Sequence, residues 1–257
     1  VHYGLPLWMM QWVHDELGDE EATAWAESNS HPAPLNIRVN TRINSRDEFL
    51  EKLKEAEIPA VALPLFPDAL ELGSAGNVAA LPGFKEGAFI VQDPAAQLVG
   101  HIVSPEKESV ILDLCAAPGG KSLHLAEMMQ QTGKVIAVDI HQHKMALIRD
   151  NATRLGLTNV TPQFSDATSI QAMNKVLERT EVEHIDHIIL DAPCSGLGTL
   201  RRHPELRYKE DARVQELCEL QDQLLETASQ LMGPGTILTY SLCTITEAEG
   251  IGRIEKL

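Results

Sequence analysis

Residues 110–129, VILDLCAAPGGKSLHLAEMM, carry the strongest fold signal in this chain. An apolar run, a glycine-rich turn and a helix-like segment follow one another without a break, as a strand, a turn and a helix do in an open α/β sheet. A second apolar run, KVIAVD at residues 134–139, comes next. This alternation predicts a mainly parallel sheet with helices on both faces.

The alternation of strands and helices extends from about residue 87 towards the end of the chain. The predicted strands lie at 110–115, 134–139, 159–164, 187–190 and 236–241, and the predicted helices at 93–103, 120–131, 141–156, 168–180 and 211–232. Cys218 lies on the apolar side of the last helix, so we expect it to be a core residue. The fold class is therefore predicted as α/β, with a domain over residues 87–257.

Residues 1–86 predict a small α+β module in front of that domain. LNIRVNTR at 35–42 alternates like a strand, and residues 45–58 are typical of a helix. Ser45 and Glu48 have the spacing of a capping box at the start of this helix. Near the beginning of the chain, four apolar side chains have the spacing of one helical face and are expected in the core: Trp8, Met9, Trp12 and Val13.

The composition excludes several classes of protein. Of the 257 residues, 44% are hydrophobic and 23% charged, as in an ordinary globular protein. The four cysteines form no CxxC pair and no His/Cys cluster, which argues against a disulfide framework or a structural zinc site, so no metal ligand is predicted. Neither a signal peptide nor a membrane-spanning apolar run is recognisable. We therefore expect a cytoplasmic protein with no membrane partner.

The formal net charge of −16 argues against a protein that coats nucleic acid indiscriminately, because phosphate neutralisation requires Lys and Arg. A local basic stretch nevertheless follows residue 200. It contains Arg201, Arg202, His203, Arg207, Lys209 and Arg213, interspersed with three acidic residues. The stretch is either a solvated loop and helix start or a local basic patch that contacts nucleic acid.

Candidate cofactor-binding residues lie at three successive strand ends. Gly119 and Gly120 in the turn CAAPGGKS would allow close backbone approach, although the turn is neither GxGxxG nor a P-loop. Asp139 ends the second strand, where a carboxylate can accept hydrogen bonds from a ribose diol. Asp166 follows the third strand and could accept one from an adenine amino group. Together these features favour an adenosine-type cofactor.

Two cysteines lie where later strands end. Cys194 is in DAPCSG after IDHIIL, and Cys243 is in YSLCT after GTIL. Two thiols beside a cofactor site suit methyl transfer to carbon 5 of a pyrimidine, because carbon 5 becomes nucleophilic once a thiolate adds to carbon 6. Each cysteine alone could equally be a small buried hydrophobic residue. This chemistry does not decide which thiol attacks.

The motifs LDLCAAPGGKSLHLAEMM, VDI, DAPCSGLGTLRRHPELRY and YSLCT resemble those of the RNA 5-methylcytosine methyltransferases of the Sun/Fmu family. IRVN at 37–40 and FIVQDPAAQLV at 89–99 are also similar to that family, so the resemblance covers nearly the whole chain. It implies a Rossmann-like methyltransferase sheet and S-adenosylmethionine as the cofactor. It also implies an RNA partner, with small-subunit rRNA favoured over tRNA, and no DNA.

The resemblance assigns roles to individual residues. It implies that Cys243 is the nucleophile and that Cys194 assists release of the product. Asp191, on the fourth strand beside Cys194, is placed to hydrogen-bond the cytosine ring at N3 if it is protonated or shares a proton. The residues implied to line the cofactor site are Cys115, Ala116, Ala117, Pro118, Gly119, Gly120, Lys121, Asp139, Asp166 and Asp191. Lys121 could also favour a thiolate, or be a surface lysine. The residues expected to touch RNA are Arg38, Asn40, Arg201, Arg202 and His203, with an ordinary strand role as the alternative for the first two.

The chain departs from the family pattern in places. Leu242 stands where the family has Thr, and Gly250 where it has Asn. We expect a chain truncated at both ends, without its final strands and without a preceding helical RNA-binding domain. Cys243 would then lie on an open edge strand, so the chain would be a monomer or associate through that edge. The alternatives are an impaired RNA- or cofactor-binding remnant and a small-molecule methyltransferase, which would leave RRHPELRY without a role.

Overall fold

A computed structural model describes residues 3–73, 76–208 and 213–257 of the chain. Its helices within these ranges are α1 (Leu7–Leu17), α2 (Asp19–Asn29), α3 (Arg46–Glu55), α4 (Pro94–Val103), α5 (Gly120–Met128), α6 (Met145–Arg154), α7 (Ile170–Arg179), α8 (Val214–Leu231) and α9 (Ile251–Ile254). Its strands are β1 (Leu35–Val39), β2 (Ala60–Ala62), β3 (Ala69–Leu72), β4 (Phe89–Val91), β5 (Val110–Asp113), β6 (Lys134–Asp139), β7 (Val160–Phe164), β8 (His187–Asp191) and β9 (Ile237–Ser241). None of the described helices is both long and apolar enough to cross a membrane.

The larger sheet has the strand order β7-β6-β5-β8-β9. β5 pairs in parallel with β6 on one side and with β8 on the other, and β6 pairs in parallel with β7. The strand order therefore reverses between β5 and β8, which is the switch point where ligands bind in such sheets. The predicted α/β class with a parallel, Rossmann-like sheet is confirmed.

Burial explains why these segments form central strands. Val135, Ile136, Ala137 and Val138 of β6 are fully buried, as expected for a strand covered by helices on both faces. One core cluster packs beside the sheet, and its fully buried members are Ile111, Leu123, Leu125, Ala126, Met129, Val135 and Ile189. Cys218 on α8 is 3% exposed, which confirms its prediction as a core residue.

A smaller antiparallel sheet has the order β2-β3-β1-β4. β1 lies in its centre and pairs with β3 and β4, and α3 contributes Phe49 and Leu53 to the buried cluster of this region. The Ser45 side chain accepts from the Glu48 N–H and the Glu48 carboxylate accepts from the Ser45 N–H, so the predicted capping box is present.

The first two helices form a separate apolar cluster. Met9 of α1 and Ala26 of α2 are fully buried there, and Trp8 and Trp12 pack against it. The prediction that this face of α1 is core is confirmed. The sequence analysis missed α2, whose buried apolar residues are alanines, because such small side chains leave only a weak periodic signal.

The chain divides into two compact units. The thiol unit comprises Val1–Ala33, Ala192–Glu226 and Ser241–Leu257. The sheet unit comprises Pro34–Asp191 and Thr227–Tyr240. These bounds differ from the predicted division near residue 86, which stays a prediction.

Candidate active site

The glycine turn of the sheet unit is held tightly between β5 and α5. The Ala116 N–H donates to Val138 O at 2.8 Å, and the Gly119 N–H donates to Ala116 O at 2.7 Å. Gly119 has a φ of +105°, and a Cβ there would lie 3.3 Å from Ile148 Cγ1, so glycine fits best. α5 begins at the next residue, and its first N–H groups have no acceptor within the helix. This end of the sheet is thus suited to a polar ligand.

Asp139 ties this turn to the carboxyl end of β6. Its Oδ2 accepts from the Ala117 N–H at 3.1 Å, and its Oδ1 accepts from the His141 N–H at 2.8 Å. The His141 ring nitrogen Nδ1 lies 2.9 Å from the same Oδ1. The carboxylate is therefore fixed beside the turn, as its predicted role in cofactor binding requires.

Asp191 lies at the carboxyl end of β8 and is paired with the helix that follows the turn. Lys121 Nζ donates to Asp191 Oδ2 at 2.6 Å. The Lys121 side chain is 17% exposed, so it is not a free surface lysine, and its effect on a thiolate stays a prediction. The structure shows an ion pair that balances a carboxylate at the switch point.

Asp113, at the end of β5, is a site residue that the sequence analysis missed. It is 1% exposed, and the Ser122 hydroxyl donates to its Oδ2 at 2.5 Å. Burial raises the pKa of Asp113 to about 7, the nearby charge of Asp191 adds to the rise, and the Ser122 hydrogen bond opposes it. A carboxylate at the end of an otherwise apolar strand run was the available signal.

Cys115 lies two residues after Asp113, at the start of the glycine turn. Burial raises its pKa well above the ordinary thiol range, and the charges of Asp113, Asp139 and Asp191 raise it further. Cys115 therefore stays protonated and is unsuited to attack. Its predicted place in the wall of the cofactor site is compatible with this.

Asp166 differs from the other predicted cofactor residues. It is exposed, and its Oδ1 accepts from the N–H of Thr168 at 2.9 Å and from the hydroxyl of the same residue at 2.7 Å. The described hydrogen bonds link Asp139 and Asp191 to the glycine turn, but those of Asp166 remain within its own turn.

Within the thiol unit, Cys194 and Cys243 lie side by side. Their Sγ atoms are 3.2 Å apart, and the Cys243 N–H donates to Cys194 Sγ at 3.3 Å. The hydrogen bond with Cys243 raises the pKa of Cys194, and burial raises it further. Cys243 is the more exposed of the two. Both effects disfavour a thiolate at Cys194.

Hydrogen bonds between the two cysteine segments fix this arrangement. The Ser195 and Thr244 hydroxyls are 2.6 Å apart, and the Gly198 N–H donates to Cys243 O at 3.0 Å. A Cβ at Gly198 would lie 3.0 Å from the same carbonyl oxygen, so the close approach needs glycine. The thiols are neighbours because the segments that carry them are joined on either side.

Glu249 holds the segment that carries Cys194, and the sequence analysis did not predict this role. It is fully buried, and its Oε1 accepts from the Ser195 N–H at 2.8 Å and from the Gln221 amide at 3.1 Å. Its Oε2 accepts from the Thr246 hydroxyl at 2.9 Å. Its place six residues after Cys243 was visible in the sequence, but nothing there indicated burial.

The prediction that Arg38 and Asn40 touch RNA is wrong in this structure, because both are 1% exposed. Arg38 Nη1 donates to Glu127 Oε2 at 2.6 Å, and Arg38 Nε donates to Gln92 Oε1 at 2.7 Å. Asn40 Nδ2 donates to the carbonyl oxygen of Gly87 at 2.9 Å. The alternative, an ordinary structural role for Arg38 and Asn40 within the protein, therefore holds.

The basic stretch lies at the surface of the thiol unit. Arg201 Nη2 donates to Pro32 O at 2.8 Å, and the exposed His203 lies 3.0 Å from Glu205. Arg202 is partly exposed. Lys209 lies outside the described residues. RNA contact by Arg201, Arg202 and His203 stays a prediction.

The fold and these two sets of side chains define a methyltransferase-type protein, and comparison with known proteins agrees. The family described as 16S rRNA methyltransferase RsmB/F matches residues 100–257, and the RsmF/B-like ferredoxin-like domain matches residues 5–79. The chain belongs to the RsmB/F methyltransferase family.

Individual relatives support the same assignment. The chain is 37% identical over 257 residues to a probable ribosomal RNA small subunit methyltransferase B of Synechocystis sp., covering 99% of this chain and 56% of the relative. It thus spans little more than half the length of that relative.

Solved structures show the same fold. A methyltransferase homolog protein from Pyrococcus horikoshii superposes with a TM-score of 0.83 at 26% identity, over 99% of this chain and 79% of the other. NSun6 from Pyrococcus horikoshii, solved with SFG, superposes with a TM-score of 0.87 at 20% identity, over 100% of this chain and 88% of the other.

Proposed function

We propose that this chain is the catalytic part of an RNA (cytosine-5)-methyltransferase that uses S-adenosylmethionine and acts on small-subunit rRNA. The observation that carries the proposal is the pair of thiols, Cys194 and Cys243, with sulfur atoms 3.2 Å apart. A methyltransferase that acts on oxygen or nitrogen needs no such pair. The names of the relatives, which are rRNA small subunit methyltransferases B, support rRNA as the substrate.

The donor set of the sheet unit fits the cofactor. S-adenosylmethionine, when bound, supplies an electrophilic methyl group on a sulfonium. Asp139 offers a fixed carboxylate for the ribose hydroxyls, and Asp191 offers another for a positively charged or N–H group. The start of α5 offers main-chain N–H groups for a carboxylate. The structure of NSun6 from Pyrococcus horikoshii, which shares this fold, was solved with SFG, an analogue of S-adenosylmethionine, and this supports the same cofactor.

The thiol pair would carry the covalent chemistry. The thiolate of Cys243 adds to C6 of cytosine, which makes C5 nucleophilic enough to accept the methyl group. Loss of the C5 proton to a base and departure of the Cys243 thiolate then restore the C5–C6 double bond. Cys243, the more exposed of the two thiols, would be the attacking group, and Cys194 beside it would assist the release step.

Asp191 would act on the cytosine ring. A carboxylate beside N3 can accept a hydrogen bond from a protonated N3 and so stabilise the adduct. The Lys121 ion pair holds this carboxylate in one orientation. Because the mechanism depends on thiols, the protein would work in a reducing compartment such as the cytoplasm.

The proposal is tested by methyl transfer from labelled S-adenosylmethionine to unmodified small-subunit rRNA, with the product nucleosides identified. We expect the wild type to form 5-methylcytosine, Cys243→Ala to form none, and Cys194→Ala to accumulate a covalent protein–RNA adduct. Cofactor binding, measured separately by equilibrium dialysis, should persist in both variants. Cofactor binding without methyl transfer by the wild type would overturn the proposal and leave a binding remnant. Methyl transfer that survives loss of Cys243 would overturn the assignment of the nucleophile.

A further inference from the structure

Three side chains of the sheet unit that take no part in the proposed reaction converge; His124 is buried, and His101 and Asp68 are partly exposed. Asp68 precedes β3, His101 lies on α4 and His124 lies on α5. Asp68 Oδ2 is 3.6 Å from His101 Nε2 and 4.0 Å from His124 Nε2. The two imidazole rings meet edge to face with their centroids 5.1 Å apart. One ligand atom from each of the three residues lies within 4.8 Å of the other two.

Three imidazole nitrogens of this cluster are buried and have no hydrogen-bond partner among the described residues. They are His101 Nε2 and both ring nitrogens of His124, whose side chain is 1% exposed. The 3.6 Å separation from Asp68 is too long for a hydrogen bond. Buried polar atoms in native proteins are nearly always satisfied, so the two Nε2 atoms that face the Asp68 carboxylate point to a shared partner.

The packing around His124 is specific. A Cβ at Gly100 of α4 would lie 2.3 Å from His124 Nδ1, so the ring fits against α4 only because residue 100 is glycine. Nδ1 is therefore enclosed by α4, whereas Nε2 faces Asp68. This leaves Nε2 of His124 as the nitrogen available to a ligand shared with Asp68.

We propose that Asp68, His101 and His124 bind one divalent transition-metal ion of the zinc type through Oδ2 and the two Nε2 atoms. Two imidazoles and a carboxylate are ligands that Zn²⁺ prefers, and a water molecule would complete a tetrahedral site. Ligand distances of about 2.0–2.1 Å require the three atoms to move closer together than they are here. The ion would join the segment before β3 to α4 and α5.

The proposal is tested with zinc chloride and the full chain after removal of metal by a chelator. We expect one equivalent of Zn²⁺ to bind, and the Tm to rise by about 5 °C at a hundredfold excess over Kd. His101→Gln and Asp68→Asn should each weaken binding by about 100-fold or more. His184→Asn is the matched control, because His184 pairs with Asp186 at 3.0 Å in an exposed position outside the cluster.

The thiol pair could itself bind zinc, so its contribution must be separated. The double variant Cys194→Ser/Cys243→Ser should retain the equivalent of Zn²⁺, and Co²⁺ at the site should give d–d absorption without a thiolate charge-transfer band. Circular dichroism establishes that each variant is folded, and wild-type binding needs no variant at all. Failure of the wild type to bind, equal affinity in Asp68→Asn, or loss of binding in the cysteine variant would each overturn the proposal.

Discussion

The two units of this protein hold their reactive groups in different ways. In the sheet unit, two carboxyl groups of the proposed site are held by partners of other residue types: Lys121 pairs with Asp191, and Ser122 donates to the buried Asp113. In the thiol unit, the two sulfur atoms lie against each other, and hydrogen bonds between the segments that carry them hold them there. The charge state of a sheet-unit group is thus set by its surroundings, whereas that of Cys194 depends mainly on a second reactive group.

The largest effect is expected where a buried charge loses its partner. Arg38→Met should lower the free energy of unfolding by about 3–5 kcal/mol, because Glu127 is left charged and 3% exposed without its cation. The double variant Arg38→Met/Glu127→Leu should recover part of that loss. Urea unfolding measures both, with the exposed Arg149→Met as control. A loss of RNA affinity without a loss of stability would restore Arg38 as an RNA contact.

A pH-dependent effect follows from Asp113. Its pKa of about 7 in the folded state lies above its unfolded value, so the folded state binds more protons between about pH 4 and 7 and stability falls as the pH rises through that range. Asp113→Asn should remove this decline, which over three pH units amounts to at most about 4 kcal/mol.

The difference in unfolding free energy between Asp113→Asn and the wild type should therefore shift in favour of the variant from pH 5 to pH 8. Urea titrations at several pH values measure it, and Asp166→Asn serves as a control with an exposed carboxyl group. Identical pH slopes for Asp113→Asn and the wild type would contradict the expected burial penalty.

The hydrogen bonds that hold the Cys194 segment can be broken at Glu249. Glu249→Ala should cost about 1–3 kcal/mol, because the Ser195 N–H, the Gln221 amide and the Thr246 hydroxyl lose a buried acceptor. It should also lower kcat for methyl transfer more than it raises KM, since Ser195 adjoins Cys194. Glu247→Ala, two residues away and exposed, is the matched control. Unchanged kcat in Glu249→Ala would show that the thiols do not depend on this carboxylate.

The smallest expected effect concerns how strongly Cys243 controls the reactivity of Cys194. Iodoacetamide should label the exposed Cys243 before Cys194 in the wild type. Because the hydrogen bond with Cys243 is the main cause of the raised pKa of Cys194, Cys243→Ala should speed labelling of Cys194 by about three- to tenfold. Peptide mass spectrometry measures both rates, with the buried Cys218 as an internal reference. Labelling of Cys194 at one rate with and without Cys243 would argue against coupled thiols.

Local patterns predicted much of the fold. The capping box at Ser45 and the strand run at 134–139 depend on short-range spacing and apolar burial, and both are present in the structure. The strand ends also placed Asp139 near the glycine turn, because parallel strands deliver their carboxyl ends to one edge of a sheet. Asp191 was assigned to the same site only through the family resemblance. The helix α2 was not predicted, because its buried apolar residues are alanines, which bury little surface and give only a weak hydrophobic periodicity.

By itself, the sequence predicted the parallel sheet, the glycine turn and the two cysteines proposed to react, because each depends on the pattern of residues that are close together in the chain. Only the tertiary structure decided that Arg38 is an internal ion-pair partner, that Glu249 supports the Cys194 segment, and that Asp68 meets two histidines. These outcomes depend on which distant side chains share a buried space. The absence of a His/Cys cluster along the chain therefore gave no information about metal ligands that come together only in the folded protein. Burial and long-range contacts decide the charge, the hydrogen bonds and the partners of a side chain.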